Sequence, residues 1–108
     1  MPYIFIYNMF PPEQAEAISK IYVSNIKEER AVLRPLCKEI IPNAVKATTE
    51  GMSVIGVWDV KEGKLEDALV EHQKQLLRYH VIPGYRYKIE VRFNVVEAIE
   101  MLGMKMPE

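Results

Sequence analysis

The chain has 108 residues, 49% hydrophobic and 27% charged, which suits one core and leaves too little for two. Fourteen Lys and Arg against fifteen Asp and Glu leave a net charge of −1, so no overall field draws the protein to nucleic acid or an anionic membrane. The single cysteine, Cys37, excludes an intrachain disulfide and a multi-cysteine metal site, and its expected state is a buried, inert thiol.

No segment approaches the ~18 apolar residues that a membrane span needs, and the opening "MPYIFIYNMFPPEQ" has no basic region before its short apolar run. A cytoplasmic protein is expected. No repeat, low-complexity run or Gly/Ser linker interrupts the chain, so residues 1–108 are read as one domain.

The aromatic and β-branched run "YIFIYNMF" (3–10) predicts a strand that stops at Pro11-Pro12. Those prolines open a helix whose apolar stripe is Ala15, Ile18, Tyr22 and Ile26, with Glu13 and Glu16 at its positive end. The stretch "ERAVLRPLCKEIIPN" extends that helix to Leu33 or adds a turn around the break that Pro35 favours. "AVKATT" (44–49) and "MSVIGVWDV" (52–60) read as a hairpin turning at Glu50-Gly51.

A second helix spans 65–80, and Pro83-Gly84 turns the chain into "YRYKIEVRF" (85–93), where apolar and charged residues alternate. Asn94 and Glu97 have the spacing of a capping box for a short last helix ending near Gly103, followed by the tail "MKMPE".

The resulting β-α-β-β-α-β order, plus a short C-terminal helix, resembles the ferredoxin-like plan, an α+β fold with antiparallel strand order 4-1-3-2. "YIFIY" and "VIGVW", apolar on both faces, suit the two central positions, and the one-sided "YRYKIEVRF" suits an edge. Two helices cover only one face of such a sheet. Tyr3, Phe5, Tyr7 and Trp58, expected to share a face, would otherwise leave a large apolar patch in water. The chain therefore looks like a small member of the dimeric α+β-barrel superfamily, a resemblance that implies a homodimer or higher oligomer. That superfamily holds ligand-binding proteins and small monooxygenases alike, so the fold does not choose between them.

The only two histidines lie in "LEDALVEHQKQLLRYH". Eight residues of helix separate their rings by about 12 Å, too far for one metal ion. No metal site or cofactor is implied. His72 falls on the buried stripe with Leu65, Leu69 and Leu76 and is expected to pack in the core, a role at a ligand pocket being the alternative. His80 sits at the helix end, where a cation suits the dipole.

Asn8 and Asp59 end "YIFIYN" and "VIGVWD"; taken as parallel neighbours, these strands bring the two polar ends together, a common ligand position. Tyr7, Asn8, Trp58, Asp59 and His72 are accordingly the candidate ligand-binding residues. Arg34, a charge amid apolar residues in "VLRPL", snorkels, pairs with a carboxylate, or holds an anion.

The expected function is a homo-oligomeric domain that binds a small apolar or aromatic ligand, or a partner, at the sheet. The alternative is a cofactor-independent enzyme of the small-monooxygenase kind. Single-stranded RNA binding ranks last, because "GMSVIGVWDV" lacks the basic-glycine-aromatic pattern of an RNA-recognition strand and the net charge is slightly acidic.

Overall fold

The aromatic and β-branched opening forms strand β1, Tyr3–Phe10, which ends where Pro11 and Pro12 remove two backbone donors. The structure is a computed structural model that describes residues 1–107. After a 3-10 turn at Pro12–Gln14, helix α1 runs from Ala15 to Leu33. Pro35 stands two residues beyond its end and blocks its continuation.

Strand β2, Cys37–Thr48, is far longer than the predicted 44–49. Its register shifts between Glu39 and Ile41 and again between Ile41 and Ala44, around Pro42 and an Asn43 held at φ 37°. An edge strand tolerates a proline and a bulge that a central strand would not, and the same irregularity hides the strand's first half in the sequence.

Strand β3, Gly51–Val60, returns alongside β2. Gly51 has φ 138°, and a Cβ there would lie 2.7 Å from the Phe10 carbonyl oxygen, so the hairpin needs glycine. Helix α2, Leu65–Leu77, passes into a 3-10 turn at Arg78–Val81, so the predicted 65–80 helix tightens over its last turn. Strand β4 is Arg86–Arg92 and helix α3 is Val95–Met101.

The capping box of α3 forms as the spacing predicts. Asn94 Oδ1 accepts from the Glu97 N–H at 2.9 Å and Glu97 Oε1 accepts from the Asn94 N–H at 3.1 Å. Glu97 also pairs with the N-terminal amine of Met1, tying the chain's start to its last helix. Beyond Gly103 no regular structure follows to Pro107, and Glu108 of the expected tail lies outside the described residues.

The four strands make one open antiparallel sheet in the order β2-β3-β1-β4, the expected 4-1-3-2 read from the other side. Among the described residues the fold is α+β with three α-helices. Within the chain the sheet does not close into a barrel.

The core joins Ile4 and Ile6 of β1, Val60 of β3 and Cys37 of β2 to Leu33 of α1 and to Ala68 and Leu76 of α2. Ile4 and Val60 are wholly buried, each contributing about 2 kcal/mol by leaving water. On α2 the buried set is Ala68, His72 and Leu76, a four-residue spacing that turns one narrow stripe to the sheet.

Two sequence expectations fail on pairing. β1 and β3 are antiparallel: Asn8 faces Val54 and Asp59 faces Tyr3, which puts the two polar residues about 17 Å apart at opposite ends of the sheet. A split β-α-β plan alternates every neighbouring strand, so these two cannot run in parallel. Trp58 pairs with Ile4, and cross-strand partners share a face, so it lies on the helix side, opposite Tyr3, Phe5 and Tyr7.

Candidate functional site

The predicted α1 stripe does not close onto the sheet. Ala15, Ile18, Tyr22 and Ile26 are all only half-buried, and the helix buries side chains only near its C-terminal end, at Glu29 and Leu33. Beneath the stripe lies a cleft of about 350 Å³. Its floor is Ile6, Asn8 and Phe10 of β1 with Val54 and Trp58 of β3, all on the helix side of the sheet. His72, Leu76, Tyr79 and Tyr85 form one wall, and Asn43 and Arg30 stand among the remaining lining.

A cleft of this size with mostly apolar walls and a few fixed polar groups fits a small aromatic or alicyclic molecule. The polar groups are positioned by the fold. The Tyr85 hydroxyl donates to Asn8 Oδ1, which fixes the orientation of the amide and leaves its Nδ2 donors without a protein partner among the described residues. Tyr85 stacks on Tyr79 with ring centroids 5.3 Å apart, and on Tyr87 at 5.9 Å, which fixes the phenol that orients Asn8.

His72, only 2% exposed, lies in the same cleft wall with its ring 5.0 Å from Trp58. Its Nε2 is 3.7 Å from Cys37 Sγ, the tautomer deciding which group donates. Burial lowers its pKa to about 4, so the imidazole is neutral at neutral pH. Burial also pushes the Cys37 thiol up to about 11 against the opposing pull of Lys61, so the pair is a neutral contact and no thiolate–imidazolium couple. Tyr79 is raised to about 12, first by burial and then by nearby Glu29.

Glu29 closes the cleft near the C-terminal end of α1. Its Oε1 accepts from Arg78 Nη1 at 2.8 Å, joining α1 to the 3-10 turn after α2. Burial raises its pKa, and Arg78 offsets only part of that. Among the described residues no three His, Cys, Asp or Glu side chains gather as a metal site would require.

Of the five residues singled out in the sequence, the structure brings Asn8, Trp58 and His72 together in the cleft. Tyr7 and Asp59 point to the open face of the sheet, away from it, because they alternate with Asn8 and Trp58 along their strands. Sequence reasoning missed Tyr22, Tyr79, Tyr85 and Asn43. Tyr22 carried a signal, as the one phenol on an aliphatic stripe; Asn43 carried none, because its strand was not recognised.

The open face holds a row of three aromatic rings, with Tyr3–Phe5 and Phe5–Tyr7 centroids each 6.4 Å apart. β4 leans cations over it: Arg92 lies 5.0 Å from the Phe5 centroid and Lys88 Nζ 5.6 Å from that of Tyr7. No helix of the structure is long and apolar enough to cross a membrane.

Comparison with protein-family models, curated proteins and solved structures finds no match to this chain.

Proposed function

We propose that the protein binds a small apolar ligand with aromatic character in the cleft between α1 and the sheet, and that it does so as a homodimer formed through the open sheet face. The observation that carries the ligand reading is the half-buried α1 stripe standing over the cleft instead of packing down on β1 and β3. An apolar stripe held off its sheet leaves contact energy unused, and a ligand that fills the gap recovers it.

The shape of the chain supports a partner. Its radius of gyration is 15.7 Å, against about 13 Å for a compact domain of 100 residues, and its shortest extent is 19 Å. Such a slab has one sheet face without a second layer. A second copy laid on the Tyr3–Phe5–Tyr7 row would supply that layer, as in dimeric α+β barrels.

The electrostatics of His72, Cys37 and Tyr79 suit binding better than acid–base catalysis, and Glu29, whose pKa burial raises, is engaged by Arg78. A general base works best with a pKa near the operating pH, whereas burial holds His72 near 4 and puts Cys37 and Tyr79 above the neutral range. Phenylnaphthylamine, a neutral probe that fluoresces in apolar surroundings, tests the reading. It is expected to bind the native protein and quench Trp58, and Ile18→Trp, which fills the cleft from α1, is expected to abolish binding with the fold intact. Binding unaffected by that substitution would place the ligand elsewhere.

A further inference from the structure

A second cavity of about 330 Å³ adjoins the cleft, sharing Arg30, Glu39 and Trp58 with it. Its other walls carry Arg34, Lys61, the buried Cys37 and the strand at Lys38, whose side chain turns with Asp59 to the opposite face, so three cations, Arg30, Arg34 and Lys61, meet one carboxylate in a chain whose net charge is −1. The fold assembles this group at one place. The Lys61 N–H donates to the Leu36 carbonyl at 2.9 Å, which ties the end of β3 to the turn that follows α1, and Lys61 and Arg34 line the same cavity.

The cations are not equally free. Arg30 lies 3.5 Å from Glu39, and Lys38 stands opposite Asp59 in the β2–β3 register. Arg34 and Lys61 make no ion pair among the described residues. Arg34 is also the residue that stood out in the sequence as a charge amid apolar neighbours, and it has no carboxylate partner among the described residues, which leaves its guanidinium facing solvent. Two uncompensated cations in a pocket that shares Arg30, Glu39 and Trp58 with an apolar cleft form a field that favours an anion there.

We infer that the ligand is an amphiphile, with an aromatic or alicyclic body in the cleft and a single anionic head group between Arg34 and Lys61. The inference rests on the cleft-binding reading and specifies its ligand class. The apolar walls account for the body, and the unpaired cations account for the head. Arg34 offers a planar fork that matches a carboxylate or sulfonate, while Lys61 adds a point charge.

Anilinonaphthalenesulfonate and phenylnaphthylamine share one aromatic body and differ by the sulfonate, so paired fluorescence titrations separate the two parts of the claim. The sulfonate is expected to bind about tenfold more tightly than the neutral amine, and the advantage should shrink as salt rises. The double substitution Arg34→Gln with Lys61→Gln should remove that advantage and leave amine binding unchanged, since both side chains lie outside the cleft proper. Ile18→Trp should block both probes.

Equal affinity of the two probes, or a sulfonate affinity indifferent to the double substitution, would overturn the anionic head while leaving the cleft reading in place. Failure of both probes to bind the folded protein would overturn both. Sulfonate binding lost in the double variant but retained in Ile18→Trp would show an anion site unconnected to the cleft, and would overturn the amphiphile.

Discussion

His72 Nε2 and Cys37 Sγ, 3.7 Å apart, join the middle of α2 to the first residue of β2 across 35 positions of sequence. Both are almost fully buried, both are neutral, and the contact sits between the core and the cleft. A neutral imidazole in this position makes the fold sensitive to acid. The sensitivity has a defined window.

In the unfolded chain His72 titrates near 6.5, and in the folded chain near 4, because burial penalises the charged ring. Between those values the unfolded state takes up a proton that the folded state refuses. The stability is therefore complete above 6.5 and falls as pH drops toward 4, by at most about 1.4 kcal/mol per unit and about 3 kcal/mol in all. His72→Leu should cost less than about 1.5 kcal/mol at neutral pH, since leucine fills a similar slot. Urea unfolding of both proteins from pH 7 to 4 should show the variant losing less stability; parallel profiles would rule out His72 as the source.

The Cys37 thiol is expected to resist modification. With its pKa near 11, about one molecule in a thousand carries a thiolate at pH 8, and the residue is 2% exposed. An aromatic disulfide reagent should react at a rate set by unfolding, and at full speed in denaturant. Rapid stoichiometric reaction of the native protein would contradict the burial of this strand end.

Among the described residues, Glu29 and Arg78 make the one ion pair with a buried carboxylate. Arg78→Ala would strand that carboxylate. Breaking a buried pair costs about 3–5 kcal/mol, and because Arg78 is itself 38% exposed the expected loss is nearer 2 kcal/mol. Adding Glu29→Leu should return most of it, because the desolvated charge is then gone. A double variant no more stable than Arg78→Ala alone would mean that the loss comes from the packing of the arginine stem.

What the sequence made legible follows from where its patterns were regular. The strand order, the α2 stripe and the Asn94–Glu97 box each rest on a clean local signal. The first half of β2 does not, because Pro42 and the bulges around it break the alternation that marks a strand. The candidate site was half legible: Asn8, Trp58 and His72 meet, but Tyr7 and Asp59 face away, because each is the strand neighbour of a cleft residue and successive side chains alternate faces, while the antiparallel direction of β1 and β3 separates the Asn8 and Asp59 ends. The Cys37–His72 contact was invisible, since nothing in a sequence pairs a strand's first residue with the middle of a helix.

The last prediction concerns the open face. Phe5 lies at the centre of the aromatic row, with the Arg92 guanidinium 5.0 Å from its ring. In a single chain Phe5→Asp would put a carboxylate opposite Glu90 and close to the Arg92 guanidinium, a substitution the fold should survive at a cost of about 1 kcal/mol. In a dimer packed through this face the same carboxylate would lose its water against apolar side chains, at a cost of several kcal/mol. Sedimentation equilibrium at micromolar concentration should give the native protein at least twice the 12.5 kDa chain mass, and the variant one chain mass with an unchanged far-ultraviolet dichroism spectrum. A native protein that sediments as one chain would defeat the dimer, and a variant that still associates would move the interface off this face.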